Sequence, residues 1–405
     1  MFENILCQDE IIESLASDLS KGTLPSALLL WGPEFSGKMS VALEIARVLS
    51  CAKKTAEWSC DCKACESQRV LAHPYTLLLG GRYFVQEAAA CAEVLRKAYS
   101  LPREGKDLTL PARYLFIRAL RKLLRRFDAA LWEGKDADLK KLLPSLVAAE
   151  EAAQAFLPDK AMPEEEKTES LIAQALEAVK AVCETTHLET VPIDILRNAS
   201  SWAYVGASGA AKIIIIENAD KIQERTHNTL LKILEEPPPH ATFILTAVQR
   251  TALLPTILSR IRTYRFLPRS EEANRQVLSK IFRKDSPAGS VRDFFRSSMG
   301  IDSSVIKACA KDFLAQAVSR KKAFSAILAQ EASWFTEKAR FRVFLSELAD
   351  TLRRVLRGEE KDIMIPLAKL EECMALIRRS LESLDIQNVA PQLLAQRLYN
   401  VMGAR

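Results

Sequence analysis

KIIIIENADKIQERTHNTLLKILEEPPPHATFILTAVQRTALLPTILSRIR, residues 212–262, is the stretch whose reading decides the fold. Ile213 to Ile216 form a short β-branched run of the kind that makes a strand buried on both faces, and the run ends abruptly in Glu217-Asn218. Farther on, Leu230, Leu231, Ile233 and Leu234 fall on one broad helical face, and Pro237-Pro238-Pro239 stop that helix and stiffen its exit. Glu235 and Glu236 are adjacent on it and diverge by about 100°, so they do not form a carboxylate pair on one substrate atom. A buried strand feeding an amphipathic helix predicts an α/β domain with a parallel sheet.

Working outward, a helical stretch (Glu10 to Leu19) leads to the apolar strand Ala27 to Trp31, then to GPEFSGKMS, residues 32–40, and the helical run VALEIARVLS. Strand, glycine loop and helix in that order fit the phosphate-cradling pattern G-x-x-x-x-G-K-[ST], with Gly32, Gly37 and Lys38 in register. The metal side of the pattern is altered. Met39 stands where a hydroxyl should meet Mg²⁺, and Ser40 points about 100° around the helix. Glu217-Asn218 likewise stand where a hydrolysing P-loop ATPase carries Asp-Glu to hold the metal and polarise water. ATP or ADP could rest on this degenerate loop, or the loop could simply support the fold. Neither Mg²⁺ binding nor intrinsic ATP hydrolysis is expected.

The 405 residues are enough for two or three domains, and 48% hydrophobic content is ample for packed cores. A net charge of +6, from 57 basic and 51 acidic residues, implies no overwhelming polyanion-binding field. No run of 18 apolar residues occurs, and MFENILCQDE lacks the basic and then apolar pattern of a secretory leader, so a cytoplasmic protein with no membrane association is expected. In that compartment the nine cysteines should be free or metal-bound. Cys51, Cys60, Cys62 and Cys65 lie within 15 residues and suit a closed tetrahedral, structural Zn²⁺ site. The C-x-C pair is tighter than usual. His73 is expected to cap or pack rather than ligate, and the isolated Cys7, Cys91, Cys183, Cys309 and Cys373 read as buried thiols.

Taken in order, the glycine loop, the four-cysteine module, HPYTLLL, the strand with NADKIQERTHNTLLKILEEPPPHATFIL, and LLPTILSRIR resemble the clamp-loader ATPase family of bacterial replication. Within it they resemble the delta-prime branch rather than the hydrolysing gamma/tau branch. The likeness covers residues 1 to about 80 and 190–267. It implies an AAA+ type P-loop domain at 1–267 carrying the zinc module (51–65), a helical lid at 268–317, and a helical collar at 318–405 that joins subunits. It places Glu217 at a degenerate Walker B position, and puts Ala247 and Val248 near the sensor threonine, with Thr246 one step off. Ser259-Arg260-Ile261 falls at the family's Ser-Arg-Cys motif, whose arginine reaches a neighbour's ATP, so the resemblance makes Arg260, with Ser259, a finger acting in trans. The implied partners are gamma/tau-type and delta-type subunits and, through the complex, a sliding clamp and primed DNA.

A helix-rich insertion spans about 83–185, with helices expected over Val85 to Tyr99, Pro111 to Trp132, Asp136 to Phe156 and Glu164 to Glu184, punctuated by LPREGKD, EGKD and LPDKAMP. RALRKLLRRF in it is a basic amphipathic helix whose arginines read as a solvated face or as a contact for DNA or an acidic partner. Two alternatives stay open: an active gamma/tau-like ATPase, favoured by intact Lys38, and a zinc-containing nucleic-acid-binding module that uses the basic helix.

Overall fold

A computed structural model describes residues 1–403 except 55, 101–108, 187, 206–210, 223, 239, 285–288, 321, 331, 361 and 386–388. The expected punctuation at 101–107 and Pro239 thus lie outside the described residues. Two compact units form, Met1–Met299 and Gly300–Arg405.

In the first unit, β1 (Ala27–Trp31), β2 (Thr76–Leu79), β3 (Lys212–Ile216), β4 (Ala241–Ala247) and β5 (Arg262–Arg265) make one parallel sheet in the order β2-β3-β4-β1-β5. Alternation in β3 explains why its isoleucine run has no polar face. Ile213 and Ile215 pack with Leu15 of α1 (Asp9–Ser20) and Val41 and Ile45 of α2 (Lys38–Ser50). On the opposite face Ile214 and Ile216 pack with residues of α8 and α9 (ranges below), including Leu196, Leu230 and Ile233. The result is a three-layer α/β/α core, as expected of an AAA+ type domain.

Helix α3 (Lys63–Arg69) follows α2 and precedes β2, and between β2 and β3 run α4 (Phe84–Tyr99), α5 (Leu110–Leu124), α6 (Asp136–Ala155), α7 (Glu165–Thr185) and α8 (Ile193–Tyr204). After β3 come α9 (Glu224–Glu235), the short α10 (Pro255–Leu258) before β5, and α11 (Glu271–Lys280) and α12 (Val291–Ser297) after it. Helix α5 stops earlier than its periodicity suggested. A 3₁₀ turn at Arg125–Phe127 follows it, Asp128 Oδ1 accepts from Ala130 N–H at 3.1 Å, and the Trp132 indole donates to the Arg126 carbonyl at 2.7 Å. Phe116, Leu120, Phe156, Ile172 and Val179 of α5–α7 share a core with Val277 and Phe294 of α11 and α12.

The second unit is helical: α13 (Ser303–Ser319), α14 (Phe324–Gln330), α15 (Ala332–Thr336), α16 (Lys338–Leu356), α17 (Leu367–Asp385) and α18 (Pro391–Met402). Its centre is aromatic. Phe313, Phe335 and Phe344 meet edge to face or tilted at 5.1–6.0 Å, and Tyr399 joins them at 5.6 Å while its hydroxyl donates to the Lys322 carbonyl at 2.6 Å. Among the described residues no helix is long and apolar enough to cross a membrane.

Candidate functional site

The glycine loop emerges from β1 at the carboxyl edge of the sheet, where parallel α/β sheets receive ligands. Gly32 turns it at φ +148°, and a Cβ there would run into the Phe266 carbonyl oxygen. Gly32→Ala is therefore expected to lower stability by about 1–3 kcal/mol, the usual range for a strained backbone residue, measured as a shift in the urea midpoint. Gly37 (φ +97°) opens α2, bringing Lys38 into the loop. The Lys38 ammonium folds back on its own loop. It donates to Gly32 O at 2.7 Å and to Pro33 O, and lies 3.4 Å from Ser36 Oγ. Burial pulls its pKa down to about 8 against the carboxylates of Glu34 and Asp220, which hold it up. Met39 is half-buried against the apolar core beneath the loop, and Ser40 is exposed.

Glu217 stands at the end of β3, on the same edge. Its Oε2 pairs with Arg126 Nη2 at 2.7 Å, and the Arg126 side chain is 2% exposed. Arg126 Nε also donates to Gly80 O at 2.7 Å, and the guanidinium lies over the Phe84 ring at 5.0 Å. The next residue, Asn218, adopts φ +56° and gives its N–H to Thr246 Oγ1 at 3.3 Å. Thr246, one step from the position that the resemblance gives to a sensing hydroxyl, thus touches the end of β3.

Arg126 belongs to a row that overturns the expected solvated face of RALRKLLRRF. Arg118 donates to Arg69 O at 3.0 Å, Arg121 to Val70 O at 3.1 Å, and Arg125 to Leu71 O at 3.0 Å and to His73 O. These carbonyls belong to the last residue of α3 and the turn beyond it. A helix end leaves carbonyls unpaired and partially negative, so guanidinium groups satisfy them and offset the macrodipole. The basic face points inward, and the feature that suggested nucleic-acid binding is used in internal bonds. Truncating Arg126 to Met leaves Glu217 without its partner. The expected loss is about 3 kcal/mol, the low end for breaking a buried pair because Glu217 is 19% exposed. Chemical denaturation of the full chain measures it, and Glu217→Gln in the same background should recover part of the loss.

The four cysteines converge. Cys51 is the C-cap of α2, Cys62 the N-cap of α3, and all four Sγ atoms lie within 4.8 Å of one another. The Cys51–Cys60 Sγ separation is 3.7 Å, close to the edge of a tetrahedron with Zn–S bonds of about 2.3 Å. The donor set therefore fits zinc. Cys65 N–H donates to Cys62 Sγ at 3.4 Å, and buried Arg47, ion-paired with Glu44 at 2.7 Å, donates to Cys65 Sγ at 3.2 Å. Burial raises the Cys62 pKa, but N–H groups of Cys65 and Ala52 outweigh it and bring it to about 6. Burial raises that of Cys65, and Arg47 opposes the rise. His73 stays outside the cluster, its Nδ1 accepting from Tyr75 N–H at 3.3 Å. Of the isolated cysteines, Cys91, Cys309 and Cys373 are buried, while Cys7 and Cys183 are only half-buried.

Arg260 and Ser259 sit elsewhere. Arg262 of β5 lies opposite Leu28 and Arg265 opposite Trp31, so Arg260 precedes the amino ends of the strands, whereas Gly32 follows the carboxyl end of β1. About 13 Å of strand separates the two edges. The guanidinium is 37% exposed. It pairs with Glu235 Oε1 at 2.8 Å and donates to Thr256 O at 2.8 Å, and Ser259 Oγ donates to the same carbonyl at 2.9 Å.

Gly32, Gly37, Lys38 and Glu217 are brought together on one edge, the cysteines form a second cluster, and Arg260 with Ser259 forms a third place. Sequence reading missed Glu34, Arg82, Arg126 and Arg47. The only local signal for Arg126 was a charged residue at the end of an apolar helix face, and local patterns do not say which carbonyls lie opposite.

The family model described as "DNA polymerase III, delta subunit" matches residues 7–83 and 127–270, more than half of the chain. Among curated proteins, DNA polymerase III subunit gamma/tau of Mycobacterium tuberculosis is 32% identical over 82 residues, 20% of this chain and 14% of the relative. Subunit tau of Escherichia coli K12 is 33% identical over 92 residues, 23% and 14% of the two chains. Subunit delta' of Haemophilus influenzae is 38% identical over 61 residues, 15% and 19%. The aligned stretches thus span less than a fifth of each of these relatives.

Proposed function

The chain belongs to the DNA polymerase III delta-subunit family, a clamp-loader family, and from that premise we propose that it is the non-hydrolysing, delta-prime type of subunit, which completes a neighbour's ATP site with Arg260. The position of Arg260 carries this reading. It lies at the sheet edge away from its own glycine loop, so its charge serves a site on another chain. It is exposed, and its ion pair with Glu235 joins bonds to the Thr256 carbonyl and Ser259 Oγ on its own turn. Such surface pairs contribute about 0.2–1 kcal/mol, little to give up for a γ-phosphate. A guanidinium there stabilises charge developing on the transferred phosphoryl group.

On the chain's own loop half-buried Met39 packs against the core, Lys38 binds loop carbonyls and Glu217 binds Arg126, all of which support a subunit that turns over no nucleotide itself. The cysteine cluster would hold a structural zinc between α2 and α3. The three-part division, with a lid at 268–317 and a collar at 318–405, belongs to the same proposal, as do the gamma/tau-type and delta-type partners and the loading of a sliding clamp on primed DNA. The retained Lys38 favours one second reading, an active gamma/tau-like ATPase. DNA-stimulated ATP turnover by a complex reconstituted with those partners, comparing Arg260→Ala with Lys38→Ala, separates the two.

A further inference from the structure

The carboxyl edge of the sheet is bridged by the chain's own side chains. Glu34 leaves the loop after β1 and meets Arg82 and Tyr83, which follow β2 beyond Gly80 and Gly81. In the sheet β1 and β2 are separated by β4 and β3, about 14 Å at ordinary strand spacing, so these contacts pass over the ends of both intervening strands. Glu34 Oε1 pairs with Arg82, and Oε2 accepts from the Tyr83 hydroxyl at 3.0 Å and from Arg292 Nη2 of α12 at 3.3 Å. The Phe35 ring fastens the same loop, with centroids 5.1 Å from Tyr83 and 5.2 Å from Phe295. Although burial raises the pKa of Glu34, Arg82 and Arg292 more than offset it and hold the carboxyl below its ordinary value. The side chains of Glu34 and Arg82 are only 18% and 14% exposed.

Two guanidinium groups and a phenol hydroxyl converging on one anion are the donor set that phosphate sites present. We propose that Glu34 is a built-in ligand: its carboxylate fills an oxyanion site formed by Arg82, Tyr83 and Arg292 beside the glycine loop and keeps phosphate groups out. The inference goes beyond the proposed role of Arg260 and holds whether or not that arginine acts in trans. In the same crevice Arg126 supplies a fixed cation to Glu217, so both charges that a metal nucleotide would bring are provided internally.

The test is calorimetric titration of the full-length protein with pyrophosphate and, separately, with ADP, in magnesium-free buffer. Glu34→Ala removes the internal anion and should bind pyrophosphate at least about tenfold more tightly than the unaltered chain, equivalent to about 1.4 kcal/mol. Adding Arg82→Gln should abolish the gain. A gain for pyrophosphate alone supports an oxyanion site without a nucleoside pocket, and a gain for both ligands supports one that extends to the nucleoside. Equal affinity of the unaltered chain and Glu34→Ala overturns the proposal, as does a gain that survives Arg82→Gln. If Glu34→Ala does not fold, Glu34→Gln keeps the shape without the charge, and the absence of any gain there overturns it equally.

Discussion

Arg260→Ala is expected to lower ATP turnover, at the neighbouring site that it completes, by about 10³- to 10⁵-fold, the range that arginine fingers supply. The magnitude is large because a guanidinium aimed at developing charge in a water-poor interface acts on the transition state more than on the ground state. The structure makes the prediction specific. Arg260 is a surface residue whose partners are Glu235, the Thr256 carbonyl and Ser259 Oγ, so its removal should leave the thermal midpoint of the isolated chain unchanged. Glu235→Ala should not reduce turnover, since that pair only parks the side chain. Lys38→Ala should leave turnover of the reconstituted complex intact, because the ammonium is bound to its own loop. If Lys38→Ala abolishes turnover and Arg260→Ala does not, the chain is a working ATPase and the proposed role is wrong.

Loss of the proposed structural zinc is expected to have the second large effect. Cys65→Ser should abolish stoichiometric zinc and lower the thermal midpoint of the full chain. Structural zinc in small modules contributes about 10–16 kcal/mol of apparent binding energy, comparable with the whole net stability of an ordinary domain. Part of that is retained here because α2 on one side and β2 on the other are anchored in the sheet core. Cys65 is the informative ligand: it is fully buried, and Arg47 donates to its sulfur while also binding the carbonyls of Ala56 and Glu57. One sulfur therefore orders the loop on its far side, through Arg47, and would hold the zinc on the other. Zinc content by mass spectrometry, together with the melt, decides the matter. A Cys65→Ser protein that keeps its zinc, or melts like the parent, would remove the metal from the account of stability.

Much of the fold was legible because local chemistry and tertiary packing agree. The strand Ala27–Trp31 and the helix ends near Tyr99, Phe156 and Glu184 follow from apolar period and from glycine or proline punctuation. The cysteine cluster was legible because thiolates crowded within 15 residues have few other uses. Reading failed where a side chain's meaning depends on what lies opposite it. The period of RALRKLLRRF gives two faces but does not say which one is wet. Arg118, Arg121, Arg125 and Arg126 are turned inward because unpaired carbonyls after α3 and at Gly80 wait there. Glu34 was illegible for a similar reason. It occupies a position that the glycine-loop pattern leaves free, and its partners Arg82 and Arg292 are 48 and 258 residues away in sequence.

The inward arginine row ties the helical segment α4–α7 to the turn after α3 and to the end of β2. A shortened chain joined across α4–α7 would keep every strand, yet the carbonyls of Arg69, Val70, Leu71, His73 and Gly80 would lose their donors together, and Glu217 its counterion. A chain without this segment would need new donors at the same five oxygens.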